Sequence, residues 1–499
     1  MWAERHGREL VLAVAVATAA CFAVIGLVRH GNWWSGHDLG LFSQSVWHWG
    51  NLEAPLSTAK GNTSLLGDHF SPIVALLAPA SWTGREPEAL IIAQAVLVAA
   101  SIPPVHSYAR DRLPALPALG IAVAYAGSWL LWTGALFEFH EVAFAPLLVA
   151  LGILWGDRRR WGLFAVAMVL LACVKEDMAI LIVFFGIWLL ALGERRAGAA
   201  TIAGGVLAYL LAVEVVIPHF GDGFDYWTYD AMGSDPLDDL LETAKRPWLP
   251  FEVALDQPEK RRLLAFLALP FLFLPLLSRV SIIAIPLVAE RVLSSNPLLW
   301  KTTFHYGLPL APVLAMAAAG GLATVLARLP AERRKRAVEV IFAAGIALAV
   351  AAIVAGPKGV EAVRKVARTP DFDAAAEAAV NRVPANASVI THKFVYPHVA
   401  ARESADLFRE GAANAEWMIL APFAERGDAA GSRSPKKLNE EQIRPRLAAY
   451  GAVWERGGWI LLRRGAGARL DSSTCAELRV RAQAAPARLD APATVAALC

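Results

Sequence analysis

LVLAVAVATAACFAVIGLV, at residues 10–28, is an apolar run without a charged side chain. Its length is close to the roughly 20 residues with which an α-helix crosses the hydrocarbon core of a bilayer. Arg5 and Arg8 precede the run, and Arg29-His30 follow it. A secretory signal peptide has a shorter apolar region and a small-residue cleavage pattern. This run therefore predicts a retained first membrane span with a cytoplasmic N-terminus.

Similar apolar runs recur along the chain to about Gly356 and none follows. Hydrophobic residues make up 56% and charged residues 18% of the 499 positions, whereas soluble domains carry about 25% charged residues. A water-soluble fold cannot bury so much apolar surface. The net charge of +3 indicates no nucleic-acid partner. The composition predicts an α-helical polytopic membrane protein whose main partner is the lipid bilayer.

Basic clusters in short loops indicate the cytoplasmic side of a membrane protein. Four such clusters, at 110–112, 157–160, 194–196 and 333–336, are separated by even numbers of plausible spans. They predict an odd total of about eleven spans and an extracytoplasmic C-terminus. The predicted spans lie at 10–29, 88–109, 114–133, 142–156, 160–174, 178–193, 198–217, 262–278, 279–293, 305–328 and 337–356.

The predicted organisation is a transmembrane domain over residues 1–356 and a soluble extracytoplasmic α/β domain over 357–499. The membrane domain contains a long first outer loop at 30–87. Within that loop, the stretch 70–82 is apolar but too short to span, so we expect it to lie at the outer membrane interface.

Ionisable residues gather in the connections that are predicted to face outward. Such groups at membrane depth are costly unless they line an aqueous cavity or a site, which makes them functional candidates. Their shared side predicts one site in an aqueous chamber at the outer face. The candidates are His37-Asp38, Asp68-His69, Glu138 with His140-Glu141, Lys175-Glu176-Asp177, Glu290-Arg291 and His305-Tyr306.

Each candidate also has a purely structural explanation. Asp38 is suited to be a general base, but it could equally cap an amphipathic helix at 39–49. The group at 138–141 could be a solvated loop tip, and the histidines could be interfacial residues. The charges at 175–177 could form a turn that separates two spans, although three adjacent charges at the bilayer edge favour a function.

Six motifs follow one another along the chain: DLGLFSQSVW (38–47), DHFSP (68–72), Gln94, FHE (139–141), VKED (174–177) and HY (305–306). In this order they resemble DUF2079, a bacterial family of predicted membrane proteins of unknown function. That family is grouped with the GT-C superfamily of glycosyltransferases, which use polyprenyl-phosphate-linked sugars. The resemblance covers about residues 10–490.

The resemblance implies a GT-C-like fold and a glycosyltransferase of the bacterial cytoplasmic membrane. Such an enzyme would move a sugar, with inversion, from a lipid-linked donor to a lipid, glycan or protein acceptor on the outer face. Asp38 matches the acidic residue of the first loop and would orient or deprotonate the acceptor. A divalent metal ion, Mg or Mn, or the acceptor would be held by His69, Glu138, His140, Glu141, Glu176 and Asp177. The donor phosphate would be bound by Lys175, Arg291, His305 and Tyr306.

The better-known members have Asp-x-Asp in the first loop, where this chain has His37-Asp38. This difference leaves metal dependence open. A transporter or flippase is a rival interpretation, as is an assembly scaffold without catalysis, because intramembrane charges also mark translocation paths. The charges crowd one face and no repeat is visible in the spans, which favours the enzyme.

After Gly356 the pattern changes to short apolar runs at 387–391, 417–420 and 459–463, between turn residues. Gly457-Gly458 predicts a hairpin turn, and Ala-rich 372–382 predicts a helix, as does 438–450. The sequence predicts a small α/β layer that binds the acceptor or packs on the membrane part. Of the four cysteines, only Cys475 and Cys499 could form a disulfide.

Overall fold

The structure is a computed structural model, and it describes most of the chain. The described residues are 2–223, 226–233, 236–330, 332–334, 336–340, 343–344, 347, 370–408, 412, 414–421, 446–467, 470–484 and 499. The chain forms two compact units. The first unit contains Met1–Gly26, Leu66–Val74 and Ile91–Val363, and the second contains Leu27–Leu65, Ala75–Leu90 and Arg364–Cys499.

Helices account for most of the secondary structure. The α-helices are α1 (Trp2–Gly31), α2 (His37–Gly50), α3 (Leu65–Asp68), α4 (Glu86–Ala99), α5 (Ile102–Arg110), α6 (Ala115–Ala126), α7 (Trp129–Ala135), α8 (Ala145–Asp157), α9 (Trp161–Ala172), α10 (Asp177–Ala191), α11 (Arg195–Leu210), α12 (Ile217–Phe220), α13 (Pro236–Lys245), α14 (Leu249–Leu255), α15 (Pro258–Ala268), α16 (Ala284–Leu293), α17 (Leu310–Arg328), α18 (Pro370–Val380) and α19 (Ser472–Ala484). A π-helical turn, Leu211–Val216, joins α11 to α12.

Shorter elements lie between them. The 3-10 helices are Thr58–Lys60, Pro72–Thr83, Glu141–Phe144, Leu269–Phe271, Leu274–Leu277, Arg279–Ile283, His305–Gly307 and Tyr396–His398. The strands are β1 (Leu56–Ser57), β2 (Thr63–Ser64), β3 (Val389–Thr391), β4 (Ala405–Leu407), β5 (Trp417–Leu420), β6 (Tyr450–Arg456) and β7 (Trp459–Arg464).

Among the described residues, five helical segments are long and apolar enough to cross a bilayer. They are His6–Gly31, Glu86–Arg110, Ala115–Ala135, Arg195–Phe220 and His305–Arg328. Shorter apolar helices occur at Pro72–Thr83, Trp161–Ala172 and Asp177–Ala191. The predicted total of eleven spans is therefore not confirmed, although a polytopic membrane protein is. The last predicted span, 337–356, lies largely outside the described residues.

The predicted span at 262–278 is wrong as a continuous helix. Helix α15 ends at Ala268, and 3-10 turns follow. Pro270 and Pro275 fall in these turns, and a proline inside an α-helix removes a hydrogen bond and clashes with the preceding turn. Leu272 and Phe273 then adopt φ values of 52° and 57°, which non-glycine residues rarely do. The next predicted span, 279–293, is a 3-10 turn followed by the short helix α16.

The second unit is built on a five-stranded sheet in the order β4-β3-β5-β7-β6. β3 pairs in parallel with β4 and β5, and β7 pairs antiparallel with β5 and β6. Gly457 and Gly458 connect β6 to β7 with φ values of 59° and 84°, as a type I′ hairpin turn requires. The predicted strands, hairpin and first helix of this α/β layer are confirmed. The predicted helix at 438–450 falls mostly outside the described residues.

The first outer loop contributes to the core of this second unit. Trp33, Leu41 and Ala59 are buried in one cluster with residues of α18 and of the sheet, including Trp459. A Cβ atom on Gly40 would lie 2.3 Å from Tyr396 Cδ1, so α2 needs a glycine there. The units therefore do not follow the single boundary at residue 356 that the sequence suggested. Cys475 and Cys499 form a disulfide, with their Cα atoms 5.8 Å apart.

Candidate functional site

The segment Leu66–Val74 is fastened to the turn between α9 and α10 by three hydrogen bonds. His69 Nδ1 lies 2.8 Å from Glu176 Oε1, and the Phe70 amide donates to Glu176 Oε2 at 3.0 Å. The Ile73 amide donates to the Cys173 carbonyl at 3.0 Å. Burial alone would raise the pKa of the Glu176 carboxyl, but His69 and then Lys175 lower it to about 2. Glu176 is therefore a buried carboxylate that holds the DHFSP motif in place.

Lys175 lies among carboxylates. Its Nζ is 3.9 Å from Glu141 Oε1, and the side chains are 16% and 3% exposed. Burial would lower the pKa of the Lys175 ammonium, but the surrounding carboxylates outweigh burial and raise it. In decreasing order of effect these are Asp177, Glu141, Glu176 and Glu290. The ammonium is a fixed positive charge in an acidic environment, where it reduces the cost of burying several carboxylates.

Two histidines form a stack beside this charged group. The rings of His140 and His305 have centroids 3.7 Å apart at an interplanar angle of 25°, and Phe137 flanks both. Gln94 determines the backbone there: its Nε2 donates to the Ala135 carbonyl at 3.1 Å. Its Oε1 accepts from the His140 amide at 3.2 Å. The polar residue in the α4 span thus shapes the turn that carries the histidine.

Several polar atoms in this unit are buried without a hydrogen-bond partner. Arg291 is 2% exposed; its Nε and Nη2 donate to the Leu299 and Lys301 carbonyls, at 2.9 Å and 2.8 Å. Its Nη1 has no partner, and neither has His305 Nδ1 or Asp177 Oδ1, within the described part of the chain. Because buried polar groups are almost always paired, these atoms are candidates for contact with a bound ligand.

Tyr226 is a residue that the sequence analysis missed. Its ring stacks on His69 at 4.4 Å between centroids, and its hydroxyl donates to Asp68 Oδ1. The backbones also meet closely, since a Cβ atom on Gly67 would lie 2.3 Å from the Phe220 carbonyl oxygen. Burial, followed by the bond to Asp68, raises the pKa of Tyr226. A tyrosine in a polar loop gives no local signal of this contact, whereas Glu290 was among the candidates because it is a charge within an apolar run.

The structure brings most of the predicted site residues together within the first unit. Glu138 contributes its backbone carbonyl to His140 Nδ1 at 3.0 Å, and Tyr306 packs beside His305. Asp38 belongs to the second unit. It lies in the first turn of α2, whose N-cap is Gly36, so the capping interpretation of Asp38 is wrong. The His37 Nε2 atom lies 3.2 Å from Asp38 Oδ1.

These features define a polytopic membrane protein with a buried polar cluster at the ends of its helices and an α/β sheet formed near its C-terminus. The chain belongs to the family described as Predicted membrane protein (DUF2079), whose model matches residues 30–461. The comparison with curated proteins found no match.

Three solved structures are similar to this chain. ArnT from Cupriavidus metallidurans bound to undecaprenyl phosphate is 13% identical with a TM-score of 0.52, over 93% of this chain and 99% of that chain. The same protein in the apo state is 14% identical with a TM-score of 0.49, over 90% and 98%. The Archaeoglobus fulgidus oligosaccharyltransferase in the apo form is 13% identical with a TM-score of 0.42, over 88% and 73%. The first similarity shows a shared fold.

Proposed function

We propose that this protein is a membrane glycosyltransferase that takes a sugar from a polyprenyl-phosphate-linked donor. The acceptor would be a lipid, glycan or protein on the outer face of the bacterial cytoplasmic membrane. One observation carries the proposal: Arg291 Nη1 and His305 Nδ1 are buried without partners among the described residues, in a chain that shares its fold with ArnT. That ArnT structure has undecaprenyl phosphate bound.

A phosphate would complete the hydrogen bonding of these atoms. A guanidinium bound on two nitrogens to backbone carbonyls is held rigidly, and its third nitrogen is free to donate to an anionic oxygen. Arg291 donates to the carbonyls of Leu299 and Lys301, in the connection that leads to His305. Lys175 and Tyr306 would complete the predicted phosphate-binding set. Positive charge at the leaving phosphate favours cleavage of the sugar–phosphate bond because negative charge develops there.

The transfer step requires a base for the acceptor. The acceptor hydroxyl would lose its proton to a carboxylate, its oxygen would bond to the anomeric carbon, and the sugar–phosphate bond would break. The polyprenyl phosphate then leaves with the electron pair. Asp38 is our proposed base on the family resemblance alone. The carboxylates of the first unit, with His69 and His140, would bind and orient the acceptor hydroxyls.

A divalent metal ion does not fit the carboxylates around Lys175. Both oxygens of Glu176 accept hydrogen bonds from His69 and Phe70. The Lys175 ammonium supplies positive charge to the others. We therefore assign these carboxylates to contacts with the acceptor hydroxyls.

Binding of the product lipid tests the proposal directly. Undecaprenyl phosphate is titrated into the purified full-length protein in nanodiscs, and bound lipid is counted by native mass spectrometry. We expect His305→Ala to weaken binding by about tenfold, as for a lost hydrogen bond to a charged group. His219→Ala, an exposed histidine of the same unit, is the matched control. Equal binding by His305→Ala and the wild type would contradict the phosphate site.

Activity is tested with a labelled polyprenyl-phosphate sugar and an outer-membrane-depleted envelope extract as the source of acceptors. Asp38→Asn should abolish transfer while leaving the abundance of the protein in the membrane unchanged. Unchanged transfer by Asp38→Asn would remove Asp38 from the mechanism. Lipid movement across the bilayer without any transfer by the wild type would instead support the flippase interpretation.

A further inference from the structure

A cavity of about 830 Å³ lies between α9 and α11 in the first unit, and we call it the α9–α11 groove. Its α9 side is formed by large apolar residues such as Phe164 and Met168, and its α11 side by small ones such as Ala200 and Gly204. A Cβ atom on Gly204 would meet no atom within 4 Å. The groove is open there and would accept an apolar chain.

Among the α11 residues that line the groove, only Arg196 and Thr201 have polar side chains. The lining residue Thr201 already donates its hydroxyl to the Ala197 carbonyl at 2.8 Å. The donor-phosphate residues proposed above, Lys175, Arg291, His305 and Tyr306, are not among the residues that line it. The groove is therefore distinct from the proposed donor-phosphate site.

The two ends of the groove differ in charge. Arg196, which is exposed, and Trp161 lie at the end where α9 and α11 begin. The neighbouring Glu194 is already paired with Arg159, while Arg196 forms no ion pair within the described part of the chain. At the other end lie Phe70 and Cys173. There the Phe70 amide is bonded to the Glu176 carboxylate, which disfavours an anion.

The length of the groove suits one hydrocarbon chain. It extends along α11 from Arg196 to Leu211, which at about 1.5 Å per residue is roughly 22 Å. One leaflet contributes about 15 Å to the hydrocarbon core. If the lipid headgroup lies at the Arg196 end, the groove can therefore enclose the whole length of one hydrocarbon chain within that leaflet.

We propose that the α9–α11 groove binds one acyl chain of an anionic phospholipid, whose phosphate contacts Arg196 beside the Trp161 ring. Charge complementarity determines the direction of the lipid, since the only cation that lines the groove in the described residues is Arg196. The predicted topology places this end on the cytoplasmic side. The lipid chain would fill the space between α9 and α11 and pack against the turn at 173–177.

The experiment uses the full-length protein, purified in mild detergent and depleted of lipid. Phosphatidylglycerol, phosphatidylcholine, undecaprenyl phosphate and inorganic phosphate are added separately, and the last two also in competition with phosphatidylglycerol. Bound molecules are counted by native mass spectrometry. We expect one tightly bound phosphatidylglycerol. Arg196→Gln should weaken its binding about fivefold, and Arg195→Gln, which changes the adjacent exposed arginine, should not.

A second pair of variants tests the groove itself. Gly204→Trp fills the open space and should abolish phosphatidylglycerol binding. Leu207→Trp, at a position of the same helix that is 67% exposed and does not line the groove, should leave binding intact. Thermal unfolding checks that each variant is folded. If Gly204→Trp is not folded, the test rests on Arg196→Gln. Unchanged binding by Arg196→Gln, or equal binding of phosphatidylcholine, overturns the proposal. So does displacement of phosphatidylglycerol by undecaprenyl phosphate or by inorganic phosphate, and none of these outcomes depends on His305.

Discussion

Replacing Glu176 should loosen the segment Leu66–Val74 from the turn between α9 and α10. The Glu176 carboxylate accepts from His69 Nδ1 and from the Phe70 amide, and the side chain is 4% exposed. Glu176→Ala leaves two donors without an acceptor. Each such loss costs about 1–3 kcal/mol, so the variant should lose about 2–6 kcal/mol of local stability.

Glu176→Gln is expected to be milder, because its amide can keep both contacts in neutral form. The glutamine oxygen can accept from the Phe70 amide, while its NH2 donates to His69 in the other tautomer. Only the charge-assisted part of two hydrogen bonds is then lost, about 1–2 kcal/mol. The expected order of local stability is therefore wild type, Glu176→Gln and then Glu176→Ala. This order is set by the two contacts rather than by side-chain size.

The pKa of Glu176 gives an independent estimate of the same interaction. Its folded value of about 2 lies below the ordinary value of 4.5, so the stabilisation is complete above pH 4.5 and is lost as the pH falls towards 2. That difference corresponds to about 3 kcal/mol, within the range expected for Glu176→Ala. The Gln variant should lack this part of the acid dependence.

Hydrogen exchange of a peptide containing Phe70, measured on the full-length protein in micelles, reports this local opening. Because about 1.4 kcal/mol is a factor of ten in an equilibrium constant, Glu176→Gln should speed exchange about 5- to 30-fold and Glu176→Ala by more. Glu252→Gln is the control, since Glu252 is 58% exposed in a surface pair with Arg246. Exchange in Glu176→Ala at the wild-type rate would refute the reasoning.

Three further outcomes are expected. The neutral His392 ring accepts from the Ala421 amide through Nε2 at 3.0 Å, and burial lowers the pKa of His392 to about 3. The second unit should therefore be fully stable above pH 6.5 and lose about 2 kcal/mol of its stability by pH 5. Tryptophan fluorescence follows this loss, and His392→Leu should show a flatter pH profile. Gly40→Ala places a methyl group on Tyr396 and should destabilise the second unit by about 1–3 kcal/mol, seen as a lower melting temperature; an unchanged melting temperature would contradict the close packing. Gln94→Leu leaves the His140 amide without its acceptor and should cost about 1–3 kcal/mol in thermal unfolding; an unchanged melting temperature would contradict this contact.

Much of the membrane part could be predicted from the sequence, because bilayer thickness sets the length of an apolar run whatever its neighbours are. The spans at 10–29, 88–109 and 114–133 coincide with helical segments of sufficient length. The same reasoning gave a wrong span at 262–278, because hydropathy does not detect the prolines that follow the end of α15. Strand β7 and its hairpin neighbour β6 were accessible because the turn glycines Gly457, Gly458 and Gly465 delimit them.

The candidate site was predictable only in part. Charges next to apolar runs identified Lys175, Glu176 and Arg291, because an ionisable group at the bilayer edge needs a reason to be there. The pattern did not reveal which atoms they contact. That Glu176 bonds His69, more than a hundred positions earlier, and that Tyr226 stacks on that histidine depend on chain elements distant in sequence.

The sequence by itself determined that the chain is a polytopic membrane protein with charged residues at one set of connections, because burial of apolar length and placement of arginines are local properties. Only the tertiary structure decided which partners those charges have. It also decided that the first outer loop shares a core with the C-terminal sheet, where Trp33 packs in one cluster with Trp459. Hydrogen bonds and close packing act over a few ångströms between residues hundreds of positions apart, and no local pattern encodes that proximity.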